Sequence, residues 1–251
     1  MHTNNPALPS RQTVITCTSG KYQLHGTLLC PPGTGPFPLV IGCHGLLATS
    51  DSPKQIALAE RLTARGVAYF RFDHRGCGRS QGDLHAATTF AGRCEDLQCA
   101  AEFLLSRTDL CRPIGLFGSS FGGAVCLGCA PTLKPAAIVT LAAPMASTAI
   151  AAEAVNDFLA SEPYPGALDR DGLQFDLRGH INGISNLQVI HGTADAVVPY
   201  DNAIRIHAAA SNPKKLLKLE DSDHRVSHPE HQDLFLNSAV DWFASSVRQP
   251  A

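Results

Sequence analysis

The sequence predicts an α/β protein built on a mostly parallel, doubly wound sheet, and three observations carry that expectation. Short, continuous apolar runs recur along the chain at Leu39–Cys43, Val67–Phe72, Ile114–Phe117, Ala136–Leu141 and Leu187–Ile190. Such runs suit strands covered on both faces, as strands in parallel sheets are. Segments with helical periodicity lie between them, and alternation of the two types is the signature of βαβ units. Finally, glycine and proline cluster at the junctions, where the chain must turn sharply.

Taken in order, Arg11–Thr18 and Tyr22–Cys30 form an expected β-hairpin, with Ser19-Gly20 supplying the turn, and residues 1–11 read as a loose leader. The run Pro31-Pro32-Gly33-Thr34-Gly35-Pro36 breaks the chain before the first buried strand. Lys54–Arg65 has helical periodicity and stops at Gly66, so with its flanking strands it makes the first βαβ unit. Helices are expected over Phe90–Ser106 and Phe121–Ala130. Between Pro144 and Ser185 the rhythm fails: Ala146–Ala160 reads as helix, but Pro163, Pro165, Gly166 and Gly172 then interrupt the pattern. That stretch, 144–185, is expected to be an inserted cap within a single domain over 12–247. The sheet resumes at Leu187, a helix comes next over Tyr200–Ala210, and Lys215–Leu219 is the last strand before an amphipathic helix over Pro229–Val247.

Composition narrows the function classes. The 251 residues suffice for one substantial core, and a formal charge of −2 without a dense Lys/Arg block leaves no electrostatic footprint for nucleic acid. The N-terminal residues lack the charged and apolar regions of a signal peptide, and no apolar run reaches the roughly 18 residues of a membrane span. A cytoplasmic protein is expected. Nine cysteines, an odd number in a large chain, argue for free thiols. Cys126 and Cys129 form a C-x-x-C without the further ligands a metal site needs, so they read as small buried helix residues.

Gly118-Ser119-Ser120-Phe121-Gly122 lies between an apolar strand and a small-residue helix. This is the nucleophile-elbow pattern G-x-S-x-G, in which glycines flank a serine forced into a strained turn. By itself the pattern could be a glycine-rich turn capping a helix. Its context supplies the rest of the chemistry: Asp195 in His191-Gly192-Thr193-Ala194-Asp195 and His224 in Asp221-Ser222-Asp223-His224 both come after strands. Acyl transfer needs a nucleophile, a base and an acid that fixes the base's tautomer, and these three residue types stand in the order serine, acid, histidine. Ser119 is adjacent to the nucleophile but off the centre of the turn. His228 and His231 compete with His224, yet they precede or begin the last helix, where solvation is the commoner fate.

Together with His44-Gly45-Leu46 after the first parallel strand and Asp73-His74-Arg75-Gly76-Cys77-Gly78-Arg79-Ser80 after the second, these motifs resemble the serine α/β-hydrolases. The similarity runs from residue 12 to 247 and is nearest to the feruloyl/cinnamoyl-esterase and serine-aminopeptidase-like groups. It implies the α/β-hydrolase fold and an oxyanion hole made by the backbone N–H groups of Leu46 and Phe121. It also implies ester hydrolysis through an acyl-serine, with a small-molecule acyl ester as substrate and neither metal nor organic cofactor. Amide or thioester hydrolysis, acyl transfer and a non-catalytic binding module stay open. His44, Asp73 and Arg75 are expected to hold their loops. In the cap, Phe158, Tyr164 and Phe175 could line an acyl pocket or merely pack it down, and Leu47 is a further candidate beside the oxyanion loop.

Overall fold

The computed structural model describes residues 10–150 and 170–247. Its strands join in one eight-stranded sheet of order β1-β2-β4-β3-β5-β6-β7-β8. β1 (Arg11–Ser19) and β2 (Tyr22–Cys30) are the hairpin, closed by Gly20 at a left-handed φ of 55°. Arg11 already pairs with Cys30, so the ordered sheet starts at a residue assigned from sequence to the leader. β2 runs antiparallel to β4 (Ala68–Phe72), and every later pairing is parallel, through β3 (Phe37–Cys43), β5 (Leu110–Ser119), β6 (Ala137–Leu141), β7 (Leu187–Gly192) and β8 (Lys214–Leu219).

Side-chain alternation along the strands feeds two cores. Leu39, Ile41 and Cys43 of β3 face one side with Leu116; Val40 and Phe117 face the other. The first side is covered by α3 (Phe90–Leu105), α4 (Phe121–Leu133) and α5 (Asp201–Ala209), whose buried residues include Leu97, Val125 and Ile206. The second is covered by α1 (Pro53–Thr63) and α6 (Pro229–Ser246), through Leu58, Leu62, Phe235 and Phe243. Helices on both faces of a mostly parallel sheet are the doubly wound arrangement the sequence predicts, and this is the α/β-hydrolase fold. Cys126 and Cys129 are buried free thiols on α4.

Three differences from the sequence reading have local causes. β5 begins at Leu110 rather than Ile114, because its pairing with β3 shifts register between Pro38 and Leu39 and so passes Arg112-Pro113 without ending the strand. A short α2 (Leu84–Ala87) is nucleated by Asp83, whose carboxylate accepts from the N–H groups of His85 and Ala86. The helix expected over Ala146–Ala160 is absent at its described end. Ser147–Ala149 form a single 3₁₀ turn and Ile150 is extended, because Ser147 N–H donates to Phe175 O and Ala146 bridges to Asp176. Tertiary pairing overrides the helix propensity of the alanine-rich sequence. The remainder of that segment, Phe158 and Tyr164 included, lies outside the described residues. Among the described residues no helix is long and apolar enough to cross a membrane.

Candidate active site

Ser120 sits between the end of β5 and the start of α4 at φ 53°, ψ −123°, a backbone conformation that costs about 1–3 kcal/mol outside glycine. Packing explains its glycine neighbours. A Cβ on Gly118 would lie 2.3 Å from Gly122 O, and one on Gly122 would lie 2.4 Å from Cys43 O. The turn is further tied by Ser120 N–H donating to Leu141 O at 2.8 Å. Ser120 is thus held at the N-terminus of α4, where the helix dipole favours developing negative charge.

Loops after β7 and β8 bring the other two residues to it. His224 Nε2 is 3.1 Å from Ser120 Oγ, and its Nδ1 is 2.8 Å from Asp195 Oδ2. Asp195 Oδ1 accepts from the N–H groups of Val197 and Val198 at 2.9 and 2.8 Å. A second histidine joins the carboxylate: buried His191 places Nε2 3.1 Å from Asp195 Oδ2 and 2.8 Å from Val198 O. Both neighbours are acceptors, so His191 carries its proton on Nε2 and shares it between them. Burial raises the Asp195 pKa, but the bonds from His191, His224 and Val198 N–H outweigh it and hold the carboxyl well below the ordinary carboxylate range. An ionised Asp195 fixes the His224 proton on Nδ1 and leaves Nε2 free to accept from Ser120.

The loop after β3 packs against the nucleophile turn: a Cβ on Gly45 would be 3.6 Å from both Ser120 Cβ and Ser119 O. The N–H groups of Leu46 and Phe121 have no hydrogen-bond acceptor among the described residues. His44 supports this loop, as expected: Nδ1 donates to Gly45 O at 2.7 Å and Nε2 accepts from His74 N–H at 3.1 Å. Burial and then the Arg93 charge push the His44 pKa well down, keeping the ring neutral for those two bonds. Asp73 and Arg75 hold the loop after β4. The Asp73 carboxylate accepts from Ser50 and Arg79 N–H, while Arg75 pairs with Asp96 and Glu95.

Ser120, Asp195 and His224 are therefore brought together as the sequence suggested. His228 is exposed and caps α6, where its ring lies beside His231 rather than near Ser120. Leu47 is half-buried in the loop after β3. Phe175 is half-buried in an aromatic stack, 4.6 Å from the Phe90 ring and 5.6 Å from the Phe121 ring. Two residues escaped the sequence reading: His191, which stands in the quoted Asp195 segment without a role, and Arg93, whose signal was a charged residue on the buried stripe of α3.

Comparison with known proteins bears on the family and the fold. The family described as serine aminopeptidase, S33, matches residues 34–163. Among curated proteins, the chain is 30% identical over 222 residues to the uncharacterized protein Rv2307c of Mycobacterium tuberculosis H37Rv, covering 86% of this chain and 73% of that one. It is 28% identical over 230 residues to the uncharacterized protein YfhR of Escherichia coli K12, covering 86% and 75%. Among solved structures, Est1E of Butyrivibrio proteoclasticus with bound ferulic acid superposes with a TM-score of 0.75 at 20% identity, over 92% of this chain and 98% of that one. XC6422 of Xanthomonas campestris, an α/β serine hydrolase without a lid, gives 0.69 at 21% identity over 98% and 100%. These two likenesses speak for the fold. With that family matched over more than half of this chain, the chain belongs to the serine aminopeptidase S33 family of serine α/β-hydrolases.

Proposed function

We propose that this protein is a carboxylic-ester hydrolase working through an acyl-Ser120 intermediate. The observation that carries the reading is the relay from Ser120 Oγ to His224 at 3.1 Å and on to Asp195 at 2.8 Å, supported by the backbone N–H groups of Leu46 and Phe121, which have no acceptor among the described residues. Ser120 Oγ attacks the ester carbonyl as His224 Nε2 takes its proton, and the ionised Asp195 stabilises the imidazolium. Leu46 and Phe121 N–H groups donate to the carbonyl oxygen as it becomes an oxyanion. His224 then protonates the departing alcohol, and water repeats the sequence in reverse roles to release the acid. Leu47, Phe158, Tyr164 and Phe175 are the proposed acyl-selectivity residues, the last three from the segment between β6 and β7.

A fluorophosphonate probe followed by peptide mass spectrometry tests the nucleophile. The adduct is expected on Ser120, absent from Ser120→Ala and retained in Ser119→Ala. Turnover of p-nitrophenyl acyl esters, set beside the matching p-nitroanilides and thioesters, tests the bond cleaved. An adduct on Ser119 or a cysteine would sink the nucleophile assignment, and preferred turnover of the anilide or thioester would sink the ester reading.

A further inference from the structure

Arg93 is an unusual charge. It lies on α3, fully buried, and among the described residues no carboxylate pairs with it. Arg75, by contrast, is neutralised by Asp96 and Glu95. The Arg93 guanidinium is instead spent on successive carbonyls of the loop after β3. Nη1 donates to Gly45 O at 3.1 Å and lies 3.5 Å from His44 O, and Nη2 donates to Leu46 O at 2.6 Å. Nη2 also reaches Cys77 Sγ at 3.2 Å, which ties in the loop after β4. The opposite neighbour of the guanidinium is the Phe121 ring, whose centroid is 5.3 Å from Cζ.

In a trans peptide the C=O of one residue and the N–H of the next point in opposite directions. The Gly45–Leu46 and Leu46–Leu47 peptides are trans. Holding Gly45 O and Leu46 O on the guanidinium therefore turns the Leu46 and Leu47 N–H groups away from Arg93. Those N–H groups have no acceptor among the described residues. The same cation packs on the side chain of Phe121, whose N–H is the second proposed donor. We infer that Arg93 is the positioning residue of the oxyanion hole, one buried guanidinium that orients both donors from behind and lends them a positive charge shielded from salt. The inference rests on the reading of Leu46 and Phe121 as oxyanion donors.

The test is Arg93→Met, with Arg93→Lys as the variant that keeps the buried charge. A hole displaced by an ångström costs about 100-fold in rate. Arg93→Met should therefore lower kcat for p-nitrophenyl acetate about 100-fold while KM stays within about threefold, because the donors engage the transition state more than the ground state. Arg93→Lys, which can serve only part of the fork, should recover about tenfold of that loss. Hydrogen exchange supplies an arm without substrate. The N–H of Ala48, bonded to Gly45 O, and that of His74, bonded to His44 Nε2, should exchange faster in both variants, while amides of β5 keep their wild-type rates. A folded Arg93→Met with wild-type kcat, or with unchanged exchange at Ala48 and His74, overturns the inference. If Arg93→Met does not fold, the same two criteria applied to Arg93→Lys decide it. A wild-type protein that neither turns over esters nor takes the fluorophosphonate refutes the ester reading instead, and the exchange arm then decides alone whether Arg93 holds the loop.

Discussion

Asp195→Asn is the sharpest test of the relay, because the surroundings of the carboxylate dictate how an amide must lie. Asp195 is met by four donors: Val197 and Val198 N–H at 2.9 and 2.8 Å on Oδ1, and His224 Nδ1 and His191 Nε2 at 2.8 and 3.1 Å on Oδ2. Only an acceptor on both atoms satisfies all of them. An asparagine can turn its oxygen to the two backbone N–H groups or its nitrogen. Turning the nitrogen to them strands two buried donors at about 1–3 kcal/mol each, so the oxygen stays there and the NH₂ faces the histidines. His191 keeps Val198 O as its acceptor. His224 must then accept at Nδ1, which moves its proton to Nε2 and aims an N–H at Ser120 where a lone pair is needed. Loss of the correct tautomer in a serine triad costs roughly 10,000-fold in kcat, or about 5 kcal/mol of barrier. Steady-state turnover of p-nitrophenyl acetate measures this, and the rate of fluorophosphonate labelling should fall in parallel. An Asp195→Asn protein within about 100-fold of wild type would refute the tautomer argument.

Four further outcomes rest on the geometry of the site. His224→Ala should reduce ester turnover to the level of Ser120→Ala while His228→Ala and His231→Ala remain active, and a loss confined to either of the latter would reassign the base. Because Asp195 is held below the ordinary carboxylate range, it stays ionised near neutrality; the acid limb of kcat/KM should carry no carboxylate ionisation and have a slope of one, and a limb of slope two would contradict this. A depressed folded-state pKa stabilises the fold above the ordinary carboxylate value of about 4 and ceases to do so as pH falls through the folded value, so the Tm gap between wild type and Asp195→Asn should narrow below about pH 4, and a gap independent of pH would count against it. Phe175→Ala should shift the kcat/KM ratio of octanoyl to acetyl esters by about tenfold, the scale of an apolar pocket contact, and an unchanged ratio would make the Phe90–Phe175–Phe121 stack a packing element only.

The legible parts of the sequence were those where local chemistry alone decides the outcome. β3 and β6 read almost directly from Leu39–Cys43 and Ala136–Leu141, because a strand buried on both faces has no polar alternation to obscure it. The elbow was legible because a Cβ at Gly118 would collide with Gly122 O and one at Gly122 with Cys43 O, so those two positions must be glycine. Distant partners decided the rest. The apolar run placed the strand at Ile114–Phe117, but a register shift at Pro38 in the partner strand extends it back through Arg112-Pro113 to Leu110. The alanines after Pro144 favoured helix until Phe175 and Asp176 claimed their backbone groups. His191 and Arg93 have meaning only once loops from other strands arrive at their polar atoms, and no periodicity contains that information.

The buried face of α3 shows how these long-range demands are met on one element. Arg93 and Asp96, one turn apart and both fully buried, would be expected to pair with each other on a helix, yet among the described residues they do not. Each serves a different loop. Arg93 holds the carbonyls of Gly45 and Leu46 after β3, whereas Asp96 accepts from Arg75 N–H and Nε and faces His74 Nδ1 after β4. Burial raises the Asp96 pKa, but the bonds from His74 and Arg75 keep it low, so the carboxylate remains charged inside the protein. A charge is costly in such a place unless hydrogen bonds meet it, and both groups are met by backbone or loop groups rather than by each other, with Arg93 Nε alone left without a partner among their polar atoms. Separation of the two roles has a mechanistic consequence. A change at Arg93 disturbs the loop that carries Leu46 N–H directly, while a change at Asp96 reaches that loop at one remove, through the loop after β4 and bonds such as that from His74 N–H to His44 Nε2.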